Sequence, residues 1–176
     1  MSRIHLFLLF TTLLLGLGSC QVFGPATDHP APRRTGEYRS EKDHETLVRE
    51  EITELAQKQL GTKYRYGGKA PGGFDCSGLV YYVMKENDIS VKGYSRAQEK
   101  DGRSIKARDA RPGDLVFFRR TRAGKVFHVA IVLKNNGGNL TLIHSTSSRG
   151  VVIDDLATSS YWNSKVMTVR DVVSGR

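Results

Sequence analysis

Two segments in the first half of the chain have the spacing of amphipathic helices. Apolar residues recur near helical spacing over residues 44–60, and Gly61 is placed to end that helix. After a loop with two Gly-Gly pairs, residues 76–87 place apolar side chains at i, i+1, i+4 and i+5. Asp75 precedes this segment, at the position where an acidic side chain caps a helix. The pattern therefore predicts two helices.

Beyond Pro112-Gly113 the pattern changes to that of β-strands. Short apolar runs alternate with turn residues, as expected for strands that follow one another in a sheet. The order of helices first and an antiparallel meander afterwards predicts an α+β fold and not alternating βαβ units. About five strands fit this pattern, at residues 114–118, 126–133, 140–145, 150–154 and 165–173.

The start of the chain has the pattern of an export signal. Residues 6–17 are almost purely apolar, which is too short for a membrane-spanning helix of about 20 residues but suits the core of a secretory signal. The segment ends in Leu17-Gly18-Ser19-Cys20, which resembles the bacterial lipoprotein lipobox. That resemblance implies a signal peptide over residues 1–19 and lipidation of Cys20. The alternative is a membrane-anchoring helix with an incidental cysteine.

Composition limits the rest of the chain to one globular domain behind a tether. Residues 20–43 contain Pro and Gly but almost no apolar periodicity, and they are predicted to be a lipidated flexible tether. Residues 44–176 are then the folded domain. Apolar residues at 39% and charged residues at 26% exclude collagen-like, low-complexity and wholly disordered classes.

The net charge of +9 favours a polyanionic partner, although a basic surface can equally serve solubility. Nucleic acid, anionic lipid and an acidic polymer all fit such a charge. We expect no nucleic-acid partner, because the chain is predicted to be exported and carries no binding motif. A nucleotide-dependent activity has no support either, since no G-x-x-x-x-G-K-[ST] loop occurs.

Cys76 is a candidate nucleophile. It is the second of two cysteines, and it is left without an intramolecular partner if Cys20 is lipidated. It lies in the first turn of a predicted helix, where the helix dipole favours the thiolate over the thiol. A buried, inert thiol is the alternative, since free cysteine is often buried. A nucleophilic thiol also needs a base nearby.

Two histidines on neighbouring predicted strands can supply that base. His128 and His144 flank the turn signal Asn135-Asn136-Gly137-Gly138. If the hairpin folds about Asn136, the histidines are directly opposite, with Cβ atoms about 4.5–5.5 Å apart. A slip of one residue would put them on opposite faces of the sheet. In the expected register one imidazole orients the other, which activates the thiol.

Two other interpretations of these side chains stay open. His144 could be a hydrogen-bonded core histidine without a catalytic role. Cys76, His128 and His144 could also ligate zinc, although no fourth ligand is evident. We expect no metal and no cofactor.

Five motifs in chain order are similar to those of the NlpC/P60 family, which are papain-like cysteine peptidases of bacterial cell walls. The resemblance covers about residues 47–173 and includes the closing stretches Tyr161-Trp162 and Val169-Arg170. It implies a fold in which N-terminal helices pack on a five- to six-stranded antiparallel sheet. The motifs are Tyr64-Arg65-Tyr66-Gly67-Gly68, Asp75-Cys76-Ser77-Gly78, Arg111-Pro112-Gly113-Asp114-Leu115-Val116-Phe117-Phe118, Phe127-His128-Val129-Ala130-Ile131-Val132 and Ile143-His144-Ser145.

The resemblance also implies a role for each catalytic residue. Cys76 corresponds to the nucleophile, His128 to the base and His144 to the third, orienting residue. Tyr64 corresponds to a tyrosine thought to line the oxyanion region.

Further positions correspond to substrate contacts in the family. Asp75 and Ser77 match positions that contact the substrate peptide, and Asp75 is able to meet a free amine. Arg96 lies in a stretch that resembles the family's Arg-x-x-x-Gln neighbourhood loosely, with its role left open. The glycine that follows His-Val in the family is Ala130 here, a small change on the sheet face.

The implied function is hydrolysis of peptide stems in peptidoglycan. The resemblance points first to the D-glutamyl–meso-diaminopimelate bond, and the diaminopimelate–D-alanine cross-link is the alternative. A non-catalytic wall-binding lipoprotein and an amidase or acyltransferase on the same scaffold are further possibilities. We expect a monomer anchored to a membrane by its lipid. Because Gln21 and not Asp follows the lipidated cysteine, the outer membrane, facing the periplasm, is the expected location.

Overall fold

The computed structural model describes residues 35–174 of the chain. The predicted signal peptide, the lipidation site Cys20 and residues 20–34 of the tether lie outside this part. Within residues 35–174, no helix is long and apolar enough to cross a membrane.

Both predicted helices are present, and the first is longer than the apolar pattern indicated. Helix α1 spans Thr35–Gln57 and helix α2 spans Cys76–Glu86. The prediction of a flexible tether is therefore wrong for residues 35–43, which form the first turns of α1. Glu, Lys and Arg are frequent in this stretch. They are good helix formers that carry no apolar signal, so periodicity alone misses the helix start. Three shorter helical segments are α3 (Ser95–Gln98), α4 (Ser160–Asn163) and a 3₁₀ turn (Ala107–Asp109).

Two sheets complete the fold. Strands β1 (Lys69–Ala70) and β2 (Gly73–Phe74) form a small antiparallel hairpin just before α2. The main sheet has six antiparallel strands in the order β3-β8-β4-β5-β6-β7. The predicted α+β class and strand number are confirmed, and β4 to β7 form the expected meander, with β8 inserted between β3 and β4. The strands are β3 (Arg103–Ile105), β4 (Leu115–Arg119), β5 (Val126–Asn136), β6 (Asn139–Thr146), β7 (Gly150–Asp155) and β8 (Val166–Asp171).

The central strands are buried on both faces. On one face Leu115 and Phe117 of β4 pack in the cluster that includes α1 and α2. On the other face Val116 and Phe118 pack in a second cluster that includes Trp162 of α4. Burial on both sides explains why β4 is a continuous apolar run and does not alternate.

The β5–β6 hairpin has a bulge that sets its register. Next to the turn, Asn135 pairs with Leu140, but beyond Leu133 the register shifts so that Ile131 pairs with Ile143. Continuing this register places His144 opposite Ala130, two positions from His128. The prediction that the two histidines are directly opposite is therefore wrong, since the turn is at Gly137-Gly138 and a bulge at Leu133 precedes it.

The bulge nevertheless keeps the two histidines on the same face of the sheet. An offset of two positions preserves the face, because side chains alternate with a period of two. Without the bulge, the pairing of Asn135 with Leu140 would continue and bring His144 opposite Ile131. His144 would then point away from His128, as a register slip of one residue requires.

Candidate active site

Asp75 fixes the start of the helix that carries Cys76. Its side chain accepts hydrogen bonds from the backbone N–H of Gly78 at 2.7 Å and of Gly67 at 2.9 Å. The Ser77 hydroxyl donates to the same carboxylate at 2.9 Å. This arrangement joins the glycine loop to the first turn of α2 and places Cys76 at its first residue.

A close approach of two backbones makes Gly78 necessary in that turn. A Cβ atom added at Gly78 would overlap the carbonyl oxygen of Gly68. The same carbonyl accepts a hydrogen bond from the N–H of Asp75 at 3.1 Å. The loop therefore packs directly against the helix start, which holds Cys76 in a defined position.

Two histidines and a carboxylate form a hydrogen-bonded chain on the sheet. Nε2 of His128 lies 2.9 Å from Nδ1 of His144. Nε2 of His144 lies 2.9 Å from Oδ2 of Asp154 on β7. Nη1 of Arg149 donates to Oδ1 of Asp154 at 3.0 Å, and Nη2 also contacts this carboxylate.

This chain of bonds determines which nitrogen carries each hydrogen. The Asp154 carboxylate can only accept, so His144 donates its Nε2–H and keeps a lone pair on Nδ1. His128 must then donate Nε2–H to that lone pair. The remaining nitrogen of His128, Nδ1, is left unprotonated, as a general base requires.

Trp162 packs against both rings. Its centroid lies 4.5 Å from that of His128, with the planes 28° apart, and 4.9 Å from that of His144, edge to face. His144 is fully buried and His128 is 7% exposed. The histidines are therefore held in orientation by packing as well as by hydrogen bonds.

Burial controls protonation in the resting site. It raises the pKa of the Cys76 thiol to about 11, against hydrogen bonds from the backbone of Val129, Ser77 and Cys76 itself. It lowers the pKa of His128 to about 3, and the nearby His144 acts in the same direction. The backbone at the start of α2 lowers the pKa of Cys76, as the helix N-terminus implies, but desolvation of the sulfur outweighs this effect. The resting pair is a neutral thiol and a neutral imidazole.

The same balance applies to the two groups behind His128. Burial lowers the pKa of His144, against its hydrogen bond to Asp154. Burial would raise the pKa of Asp154, but hydrogen bonds from Arg149 and His144 outweigh it and hold the pKa below its ordinary value. Asp154 is therefore a carboxylate beside a neutral His144.

Cys76 and His128 line a common cleft of about 600 Å³. The backbone of Val129, next to His128 in the chain, is close enough to the Cys76 thiol to lower its pKa, although burial outweighs this effect. The remaining wall is mostly hydroxyl-bearing and aromatic, and comprises Tyr64, Arg120, Phe127, Ser145, Thr146, Ser147, Ser148, Arg149, Asp154, Ser159, Tyr161 and Trp162. The cleft can hold an extended peptide segment against a nucleophile and a base.

Residues 61–171, most of the described chain, match the sequence profile of the NlpC/P60 family. The chain belongs to the NlpC/P60 family. It is accordingly a cysteine peptidase, and the predicted family and enzyme class are confirmed.

Relatives and a solved structure agree with this assignment. The chain is 36% identical over 126 residues to the Gamma-DL-glutamyl hydrolase of Bacillus subtilis, covering 70% of this chain but 30% of the relative. It is 30% identical over 170 residues to the Murein DD-endopeptidase MepS/Murein LD-carboxypeptidase of Escherichia coli K12, covering 90% and 87%. A crystal structure of an NlpC/P60 family protein from Bacillus cereus has a TM-score of 0.66 at 26% identity, covering 71% and 40% of the two chains.

The structure brings some of the predicted site residues of this NlpC/P60 domain into the cleft. Tyr64 lines it together with Cys76 and His128, and His144 lies behind His128. Burial raises the pKa of the Tyr64 phenol, and the neighbouring Cys76 acts in the same direction. The Tyr64 hydroxyl is therefore a hydrogen-bond donor near the thiol.

Three other predicted residues lie outside the cleft lining. Asp75 and Ser77 hydrogen-bond each other at the helix start, and the Ser77 carbonyl accepts from Gln98 at 3.0 Å. Arg96 is exposed, and its Nε donates to the Val126 carbonyl at 3.3 Å. These residues position α2 and the start of β5, and their contact with substrate stays a prediction.

Asp154 and Arg149 belong to this cleft although no sequence motif predicted them. Asp154 of β7 pairs with Leu142 of β6, and Val152 of β7 pairs with His144. Because Asp154 is two positions from Val152, its side chain lies on the same face of the sheet as His144. The sequence shows only that Asp154 is two positions from Val152, and the pairing of Val152 with His144 that gives this spacing its meaning comes from the structure. Both nitrogens of His144 are occupied by His128 and Asp154, which argues against the zinc alternative because a ligating nitrogen needs a free lone pair.

Proposed function

We propose that this protein hydrolyses amide bonds in the peptide stems of peptidoglycan, and that the D-glutamyl–meso-diaminopimelate bond is its main substrate. The observation that carries the proposal is the hydrogen-bond chain that leaves Nδ1 of His128 unprotonated in the cleft that contains Cys76. A thiol beside an oriented imidazole is the arrangement for acyl transfer. The name of the γ-glutamyl hydrolase relative supports a glutamyl bond.

The reaction begins with proton transfer from the thiol during attack. Nδ1 of His128 takes the Cys76 proton while sulfur bonds to the amide carbon, which forms a tetrahedral oxyanion. Cys76 is the first residue of α2, and its backbone N–H is a donor for that oxyanion. His144 accepts from the imidazolium that forms, which stabilises its charge.

The second half returns the enzyme to its resting state. The imidazolium of His128 gives its Nδ1 proton to the leaving amine, and the C–N bond breaks to leave a thioester on Cys76. A water molecule then attacks the thioester while His128 takes its proton. The C–S bond breaks, the carboxylic acid leaves, and the thiolate regains the proton from His128.

Mass spectrometry of purified muropeptides incubated with the protein tests this function, with Cys76→Ala as control. Release of L-Ala-D-Glu and a diaminopimelate-bearing fragment supports the proposal. Cys76→Ala and His128→Ala should abolish release without unfolding the domain, and near-normal turnover in either variant would refute the assigned roles. His144→Gln should keep partial activity, because an amide can still orient an imidazole.

Hydrolysis of the diaminopimelate–D-alanine cross-link is the second candidate. The similarity to the murein DD-endopeptidase extends over 90% of this chain and 87% of that protein, which favours it. Conversion of cross-linked dimers to monomers in the same digest would identify this bond. If the muropeptides stay unchanged although Cys76 reacts with iodoacetamide, the protein acts on another acyl substrate. If they stay unchanged and Cys76 is unreactive, the protein has a wall-binding role.

We further propose that Cys20 carries a lipid that anchors the protein to the outer membrane, facing the periplasm. The lipobox-like residues before Cys20 and the absence of Asp at position 21 support this location. Cys20→Ser should lose labelling by radioactive palmitate and move the protein to the soluble fraction. Recovery of the wild type with inner-membrane vesicles on a density gradient would contradict the outer-membrane assignment.

A further inference from the structure

Arg120 presents a guanidinium group to the catalytic cleft. It lies in the loop between β4 and β5 and lines the cleft with Cys76 and His128. Its guanidinium carbon stands 4.7 Å from the centroid of the Phe127 ring. None of the carboxylates in the part of the chain that the structure describes forms an ion pair with Arg120.

Aromatic stacking connects this guanidinium to the catalytic base. The Phe127 ring lies nearly parallel to the Trp162 ring, with centroids 6.2 Å apart and planes at 11°. Trp162 in turn stacks on His128 at 4.5 Å. Arginine on an aromatic face loses less freedom when it binds a planar partner. Arg120 is therefore held in the cleft on the same stack that orients His128.

The charge in the cleft is uncompensated at Arg120. Three charged side chains line the cleft, namely Arg120, Arg149 and Asp154. Arg149 and Asp154 neutralise each other through two hydrogen bonds. Lys165 packs on the ring of Tyr161 in the cleft wall, with Nζ 3.6 Å from the ring centroid. It is also a cation, so it does not offset the charge of Arg120. An anionic group of a bound ligand would therefore complement the charge of Arg120.

We propose that Arg120 is the binding subsite for a free carboxylate of the peptide substrate next to the scissile amide. This inference rests on the proposed function. In a γ-linked glutamyl residue the side-chain carboxyl forms the amide, so the α-carboxylate stays free beside the bond that is cut. A guanidinium binds such a carboxylate through two parallel N–H···O bonds. The subsite therefore selects peptides whose glutamyl α-carboxyl is ionised over peptides in which it is amidated.

The test compares peptides that differ in one carboxyl group. The substrates are L-Ala-γ-D-Glu-meso-diaminopimelate, the same peptide amidated at the glutamyl α-carboxyl, and the same peptide amidated on diaminopimelate. In the wild type, kcat/KM for the free acid should exceed that for the glutamyl amide about tenfold, mainly through KM, as a charge-assisted hydrogen bond implies. Arg120→Gln should erase this preference, and Arg120→Lys should keep part of it.

Arg122→Gln is the matched control, because Arg122 is an exposed arginine of the same loop outside the cleft lining. It changes the net charge equally and should leave the preference intact. Equal kcat/KM of the wild type for the acid and the glutamyl amide would overturn the subsite while leaving hydrolysis standing. An equal fall of kcat on both peptides in Arg120→Gln would also overturn it, since Arg120 would then only brace the stack that contains Phe127 and Trp162.

Binding to a catalytically inactive variant separates this inference from the proposed function. Calorimetric titration of Cys76→Ala with L-Ala-γ-D-Glu and with its α-amide needs no turnover. Tighter binding of the free acid than of the α-amide, with this difference lost in Cys76→Ala/Arg120→Gln, supports the subsite. This holds even if the wild type cleaves neither the D-glutamyl–diaminopimelate bond nor the cross-link. Equal binding of the two dipeptides overturns it whatever the activity.

Discussion

Replacing Asp154 with asparagine removes the carboxylate that accepts the Nε2–H of His144. The hydrogen bond of 2.9 Å has a charged acceptor, and it fixes the hydrogen positions through to Nδ1 of His128. A hydrogen bond to a charged group contributes about 1.5–3 kcal/mol. Because 1.36 kcal/mol corresponds to a factor of ten in rate, kcat should fall about 10- to 150-fold. The asparagine amide can also donate a hydrogen bond to Nε2 of His144. His144 would then carry its hydrogen on Nδ1 and donate to His128, which would lower kcat further.

The pH profile of kcat/KM distinguishes this effect from general damage to the fold. The negative charge of Asp154 raises the pKa of both His128 and His144, so Asp154→Asn should move the acid limb to lower pH. The charge of Arg149 lowers the pKa of His144. Arg149→Gln should therefore move the acid limb to higher pH, because His144 protonates earlier and can no longer accept from His128.

Asp155→Asn is the control for these variants. It makes the same change of charge at the next residue of β7, whose carboxylate accepts from the N–H of Ala157 and not from His144. Steady-state rates across pH and thermal unfolding should be measured on all three variants. An Asp154→Asn enzyme within twofold of the control in kcat, with an unshifted acid limb and an equal Tm, would refute the proposed role of the carboxylate.

Three further predictions concern the resting site and its support. Because burial raises the pKa of Cys76 to about 11, the wild type minus Cys76→Ala difference spectrum should show no ultraviolet thiolate absorbance at neutral pH, and a clear thiolate band would contradict this. His128 and His144 both have a pKa below the ordinary value of about 6.5, so the unfolded chain binds more protons below that pH. The free energy of unfolding should therefore fall as pH falls from about 6.5, by about 1.4 kcal/mol per pH unit for each histidine, in urea titrations. His128→Gln should have a shallower slope, and an equal slope would argue against buried neutral histidines. Gly78→Ala should lower the free energy of unfolding by about 1–3 kcal/mol, because the added Cβ overlaps the Gly68 carbonyl, and it should lower kcat because Cys76 shifts. Lys85→Ala, at the exposed end of α2, should change neither quantity in the same assays.

The elements that the sequence predicts well are those with a strong local signal. β4 was visible because both of its faces are buried, which leaves an uninterrupted apolar run. α2 was visible because Leu79, Val80, Val83 and Met84 all point into the core. Strand β3 was missed since it has three residues that are exposed or only partly buried, and its pairing with β8 gives no pattern along the chain.

The site depended on long-range information that the sequence does not contain. Cys76, His128 and His144 could be named from their motifs, but their register could not, because nothing in the sequence marks Leu133 as the extra residue of a bulge. Asp154 was overlooked because an acidic residue near the end of a strand is typical of a solvent-facing position. The net pKa of Cys76 could not be predicted, since the helix dipole is a local feature and burial of the sulfur is a tertiary one.

The bulge in the β5–β6 hairpin separates two regions that tolerate different kinds of change. The residues between the bulge and the turn are largely exposed, whereas on the other side of the bulge the pairing of Ile131 with Ile143 fixes the register of His128 and His144. A peptide tag or a fluorescent reporter inserted between Gly137 and Gly138 therefore leaves the pairing of the histidines unchanged. A single residue inserted between His128 and Ile131 would turn one imidazole to the opposite face. The hairpin tip is thus a suitable site for attaching a probe to the active enzyme.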